Sequence, residues 1–151
     1  MVSIEKPDFR NIGLGLAAGF IGTIGFVASN AVLRDVEAAS PGITALYGLP
    51  ATVAFTLLIH FFHGSILGGL YAAILEYLPE MDRIQEIVIG GVAYGILTTV
   101  VFAAIVMPLW HNAVGFADEV NLLAAPFMSY VTHVIYGLVL ATAYRLLREN
   151  Y

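Results

Sequence analysis

His60-Phe61-Phe62-His63-Gly64-Ser65-Ile66-Leu67-Gly68-Gly69-Leu70-Tyr71 returns 73 positions later as His133-Val134-Ile135-Tyr136-Gly137-Leu138-Val139-Leu140-Ala141-Thr142-Ala143-Tyr144. As a pattern this is H-x-x-[HY]-G-x-x-L-[GA]-x-x-Y, and both copies lie inside long apolar runs. On a helix the His, the Gly four residues on, the small residue eight on and the Tyr eleven on share one face. A polar and small-residue stripe written twice into apolar helices predicts a duplicated helical membrane protein.

Composition supports the membrane. Of 151 residues, 60% are hydrophobic and 11% charged, with a mean hydropathy of +0.87, more apolar than a water-soluble domain sustains. About 20 apolar residues cross a hydrocarbon core of ~30 Å. Four such runs stand out, at about Ile12 to Leu33, Pro50 to Leu78, Ile87 to Trp110 and Leu122 to Leu147. The first is longer than the apolar core of a secretory signal and reads as a retained helix. The absence of cysteine excludes disulfides, thiolate metal sites and covalent haem attachment. Acidic residues outnumber basic ones 11 to 6, which argues against nucleic-acid binding.

The likeness between the halves extends past the stripe. Gly15, Ala17, Gly19, Thr23, Phe26 and Ala28 recur 76 positions later as Gly91, Ala93, Gly95, Thr99, Phe102 and Ala104. The expected fold is therefore an all-α, four-helix transmembrane bundle in a single domain, 1–151. Two antiparallel hairpins, about 8–78 and 84–151, build it. Because each hairpin crosses twice, both copies share one orientation, and their pseudo-two-fold axis runs along the membrane normal. Each helix carries a small-xxx-small pair: Gly15 and Gly19, Gly64 and Gly68, Gly91 and Gly95, Gly137 and Ala141. Such notches let helix backbones approach closely in lipid, which predicts a tight bundle without a wide pore.

The connections carry their own signals. Ser40-Pro41 reads as an N-cap with proline at the first turn, and Ile43, Leu46 and Tyr47 supply an apolar face for a short interfacial helix. Pro79 stops the second span, and the polar run from Glu80 to Glu86 turns it into the third. Trp110 and His111 suit the headgroup level, as do Tyr71 and Tyr144, read as an aromatic belt. Of the basic residues, Lys6, Arg10, Arg83, Arg145 and Arg148 fall on one side of the four-span scheme and Arg34 on the other. The positive-inside rule then puts both termini in the cytoplasm of a multi-pass plasma-membrane protein.

The paired histidine–glycine helices, each ending near a Tyr, and Gly48-Leu49-Pro50 at the start of the second span resemble the YagU-like family of small four-span membrane proteins, with its haloarchaeal relatives. The resemblance implies the four-span fold but no biochemical activity, since that family has none assigned. The histidine-kinase label attached to some such relatives has no counterpart here, because no nucleotide-binding domain accompanies the two histidines.

Ionisable groups at membrane depth are the candidates for function. His60, His63 and His133 could simply hydrogen-bond a Ser, Thr or carbonyl nearby, with Thr23, Thr56, Thr99 and Ser129 as candidates. Together they could also hold a metal ion, since imidazole suits zinc, copper or iron. His60 and His133, made equivalent by the repeat, could be the axial ligands of one b-type haem; otherwise no cofactor is expected. No catalytic set accompanies them. The leading expectation is a non-enzymatic component of the bilayer, either a homo-oligomer or an accessory subunit of a larger membrane-protein complex. A haem b electron-transfer subunit and a small-solute or ion transporter are the alternatives.

Overall fold

A computed structural model of the chain describes residues 8–33, 36–78 and 83–151, with side chains of 36–40 left aside. Helix α1 runs Phe9–Leu33, α2 Val36–Ala45, α3 Val53–Leu75 and α4 Ile84–Thr98; a π-helical segment, Thr99–Val106, leads into α5, Met107–Ala113, and α6 spans Phe127–Asn150. There is no strand among the described residues. Four helices are long and apolar enough to cross a membrane: Phe9–Leu33, Val53–Leu75, the continuous Ile84–Ala113 and Phe127–Asn150. These match the four runs expected from the sequence, with ends displaced by a few residues.

Glycine decides which helices touch. A Cβ placed on Gly15 would fall 2.5 Å from the Gly68 carbonyl oxygen, and one on Gly19 would fall 2.8 Å from the Gly68 Cα, so α1 and α3 meet backbone to backbone. Gly64 is closed off by Thr23 and the Gly19 carbonyl. The second seam joins α4 to α6, where Gly91 faces the Gly137 carbonyl and Gly95 faces the carbonyl of His133. Ala141 is 2% exposed in the same core. Between the seams, α1 turns another face to α6: Gly22 receives the Tyr136 ring and Gly25 the Val139 side chain. The helices thus follow the order α3–α1–α6–α4.

That order departs from the sequence expectation. The tight turn expected from the second span into the third would set them side by side, yet α3 and α4 have no interface comparable to the three seams. Their direct ties are polar or aromatic: the Tyr94 hydroxyl donates to the Leu67 carbonyl at 2.5 Å, and the Tyr71 and Tyr94 rings meet edge to face at 5.0 Å. The turn itself, with Pro79, lies outside the described residues, as do Lys6 and Arg34. At its far side Glu86 caps the Arg83 N–H at 3.0 Å and starts α4.

Three further expectations are corrected. Tyr71 and Tyr144 are not a headgroup belt: each is 3% exposed, and their rings pack edge to face at 5.8 Å. The small residues around them leave room for a phenol ring inside the bundle, where apolar area and ring geometry favour it. Ser40-Pro41 does not open the short helix. Pro41 sits within α2, five residues after Val36, where it withholds an N–H from the carbonyl four residues back. Nor are the apolar residues of this segment turned to lipid: Ile43 of α2 and Leu46 just after it are buried against Ile59 of α3, with Leu49 and Met107 alongside.

The π segment and Pro108 explain the path of the loop before α6. Pro108 has no N–H to give the Ala104 carbonyl four residues back, which leaves a buried acceptor unsatisfied. The loop fills it, with the Leu123 N–H donating to Ala104 at 2.9 Å. Leu123 adopts φ 60° to do so, a left-handed conformation uncommon for a leucine. The segment before α6 is thereby drawn back onto the π segment.

Candidate functional site

Because α3 and α4 do not close on each other, a cavity of about 700 Å³ opens between α3 and the π segment, in the half of the bundle away from the termini. Phe26, Leu67, Phe102, Ala103, Val106 and Met107 give it apolar walls, and Ile66 and Leu70 of α3 also line it. The latter two are about half exposed, so this side faces the lipid region. Against the α2 end stand Gly42, Ile43 and Leu46. His111 of α5 clasps that end by donating from Nε2 to the Gly42 carbonyl at 2.8 Å.

All three histidines singled out in the sequence line this cavity. His60 donates from Nδ1 to the Thr56 carbonyl at 2.8 Å, and His133 makes the same bond to the Ser129 carbonyl at 2.7 Å. Each imidazole is therefore bonded to the backbone one turn back on its own helix. His63 shares a hydrogen bond through Nε2 with the Tyr47 hydroxyl, and Tyr47 in turn packs on Trp110 with ring centres 5.5 Å apart. Burial pushes the Tyr47 phenol up from its ordinary value, so it is the neutral hydroxyl that meets His63. Tyr136, which takes the place of His63 in the second stripe, is 3% exposed and donates to the Gly64 carbonyl at 2.7 Å.

The residue that sequence reasoning missed is Phe26. Its ring stacks on His60 at 5.2 Å, with planes 30° apart, and meets His133 edge-on at 5.0 Å. The sequence marked Phe26 as a repeated position, equivalent to Phe102, but nothing in its spacing placed it between the two histidines.

That placement bears on two of the expectations. A haem held by His60 and His133 needs its porphyrin plane between the imidazoles, whereas both imidazoles here pack on the Phe26 ring. His60, His63 and His133 do not gather as a metal centre. His63 turns to Tyr47, the other two pack on Phe26, and among the described residues no three His, Cys, Asp or Glu side chains lie close enough to hold a metal ion.

At the opposite end of the bundle a smaller cavity, about 170 Å³, is lined by Asn11, Tyr71, Glu76, Tyr144, Arg145 and Arg148 among others. Asn11 donates to Glu76 at 2.6 Å, Arg145 pairs with Glu149 at 2.7 Å, and the Tyr144 hydroxyl is buried without a hydrogen-bond partner among the described residues. A polar pocket of this size has room for a water molecule to satisfy that hydroxyl.

A model of a protein family of unknown function, DUF6789, matches residues 9–151, the whole helical bundle. The chain belongs to that family. No curated protein and no solved structure matches it. The family thus supplies a boundary for the fold and no chemistry, and the cavity has to be read from its own walls.

Proposed function

We propose that this member of the family is a non-enzymatic membrane component that holds a small lipophilic molecule in the cavity between α3 and the π segment. The observation that carries the reading is the cavity itself: about 700 Å³, mostly apolar, at membrane depth, with imidazoles, a few hydroxyls and the Asn30 amide as its polar groups. Ligand sites have this composition and scale. A π segment in the wall adds support, since such interruptions of the α-helical ladder recur at functional sites.

The glycine stripes that motivated self-association have other work. Gly15, Gly19, Gly64, Gly68, Gly91, Gly95 and Gly137 all face backbone or side chains of the same chain, so an oligomer or a larger complex would form through other surfaces. The YagU-like resemblance agrees with the four-span fold and lends no activity. A transporter would differ from a binding component by moving its ligand, and flux in proteoliposomes separates the two.

The duplication also belongs to this proposal. Thr23 bonds the Gly19 carbonyl at 2.9 Å as Thr99 bonds that of Gly95 at 2.9 Å, and the two histidine–carbonyl bonds correspond likewise. The seams, however, are out of step. Gly19 meets Gly64 in the first half, whereas in the second Gly95 meets His133 and Gly91 meets Gly137, a slip of one helical turn, about 5.4 Å. We read the cavity as the product of that slip: two related hairpins that do not pack alike cannot both close around a common axis.

The test is extraction of the protein in its native lipid and mass spectrometry of what accompanies it. Wild type is expected to carry a lipophilic molecule near one per chain, and Ala103→Phe, which puts a ring into the cavity, to carry at most a tenth as much. Equal recovery from both, or none from wild type, would sink the reading.

Both termini are proposed to face the cytoplasm across the plasma membrane, which sets the cavity in the outer half. The absence of cysteine makes this simple to check with an impermeant thiol reagent on intact cells. Asp118→Cys is expected to react and Asn150→Cys to stay unlabelled; the reverse pattern inverts the protein.

A further inference from the structure

The cavity shows a bias in its hydrogen-bonding groups that narrows the chemistry of its occupant. The hydroxyls at its inner end are committed as donors: Thr23 to the Gly19 carbonyl at 2.9 Å, Thr56 to the Thr52 carbonyl at 2.9 Å, and Tyr136 to the Gly64 carbonyl at 2.7 Å. His60 is committed in the same sense. A backbone carbonyl can only accept, so the bond from Nδ1 to Thr56 fixes the ring proton on Nδ1. In neutral imidazole the other nitrogen, Nε2, then carries a lone pair. His133 is set in the same tautomer by Ser129. The protons of Thr23, Thr56, Tyr136 and the His60 ring are thus engaged, while His60 Nε2 is left as an acceptor.

Resting on the binding reading above, we infer that the ligand is a neutral, ring-bearing lipophile with an O–H donor, a phenol or hydroquinone type, whose hydroxyl bonds Nε2 of His60. A ketone, quinone, ether or ester of the same shape would bring a second lone pair to a nitrogen lone pair. Among the described residues lining the cavity there is no Lys or Arg to compensate the charge of a carboxylate. Phe26 against His60 and Phe102 on the π segment give a flat ring aromatic surfaces to lie against. The volume of about 700 Å³ leaves room for an alkyl or prenyl tail, for which the apolar side facing lipid is the exit.

The chain carries its own reporter. Its one tryptophan, Trp110, lines the cavity. The full chain in lipid nanodiscs would be titrated with 4-hexylphenol and with its methyl ether, 4-hexylanisole, which has nearly the same shape but no donor. Trp110 emission is followed against the mole fraction of each compound in the lipid. The phenol is expected to shift emission at a mole fraction about tenfold lower than the ether, the scale set by one buried acceptor left unpaired. His60→Phe is expected to bring the two curves together, and Ala103→Phe to abolish both responses. Nitrogen-15 NMR of the His60 ring gives an independent reading, with protonated Nδ1 and bare Nε2 expected before ligand is added. Equal response of wild type to phenol and ether, or a proton on Nε2, overturns the donor inference while the cavity stands as a binding site. No response to either compound overturns both.

Discussion

Gly19→Val is expected to destabilise the protein by about 4 kcal/mol or more, enough to prevent recovery of folded material, while Gly13→Val on the same helix stays within about 0.5 kcal/mol of wild type. A Cβ on Gly19 would meet the Gly68 Cα at 2.8 Å and its nitrogen at 2.9 Å, with the Gly64 carbonyl nearer still. These are backbone atoms of a facing helix, so no side-chain rotation relieves them. The α1–α3 seam would have to part along its length, losing the close van der Waals contact that holds helices together in lipid. Gly13 has nothing within 4 Å of its Cβ position. The comparison holds helix propensity and hydrophobicity constant, so unfolding in mixed micelles, followed by circular dichroism, isolates packing. Similar midpoints for the two variants would mean that the seam is looser than its geometry.

The glycine seams were legible because their logic is local: a small residue every fourth position, in a helix with no water to drive burial, has few uses other than close approach. The four spans were legible for the same kind of reason. What escaped is everything that depends on which helix chooses which neighbour. Tyr71 and Tyr144 are amphipathic side chains near helix ends, and sequence alone cannot tell a ring turned out to headgroups from one turned into a small-residue core. The one-turn slip between the two seams is invisible to an alignment of the halves, since matched residues can still meet different partners. Phe26 lies on a different helix from either histidine it touches, so its position between them emerges with the α3–α1–α6 order. The π segment escaped because Thr99–Val106 is apolar almost throughout, and a change in hydrogen-bond step leaves no mark on an unbroken run of apolar residues.

That π segment gives the last prediction, and the most selective. Deleting Ala103 is expected to leave a folded protein that melts within a few degrees of wild type yet loses at least nine-tenths of its lipophile. In an α-helix a one-residue deletion turns everything beyond it by about 100° and misplaces every later contact. A π bulge differs, because it accommodates one residue more than the α-helical path requires. Removing that residue lets the ladder close to the ordinary four-residue step, with the helix on either side still in phase. On the near side Thr98 and Thr99, both bonded to the Gly95 carbonyl, keep the α6 seam. On the far side Pro108 and the bond from Leu123 to Ala104 lie beyond the deletion and move as a unit. What disappears is the wide turn that holds Phe102 and Val106 back from α3 along the cavity wall. The control is deletion of Leu58 from α3, a regular helix, which is expected to unfold the protein outright. Melting and co-purified lipophile would be measured on the same preparations. If the Ala103 deletion unfolds as the Leu58 deletion does, the π segment is a structural necessity; if it folds and still carries its lipophile, the cavity wall does not depend on it.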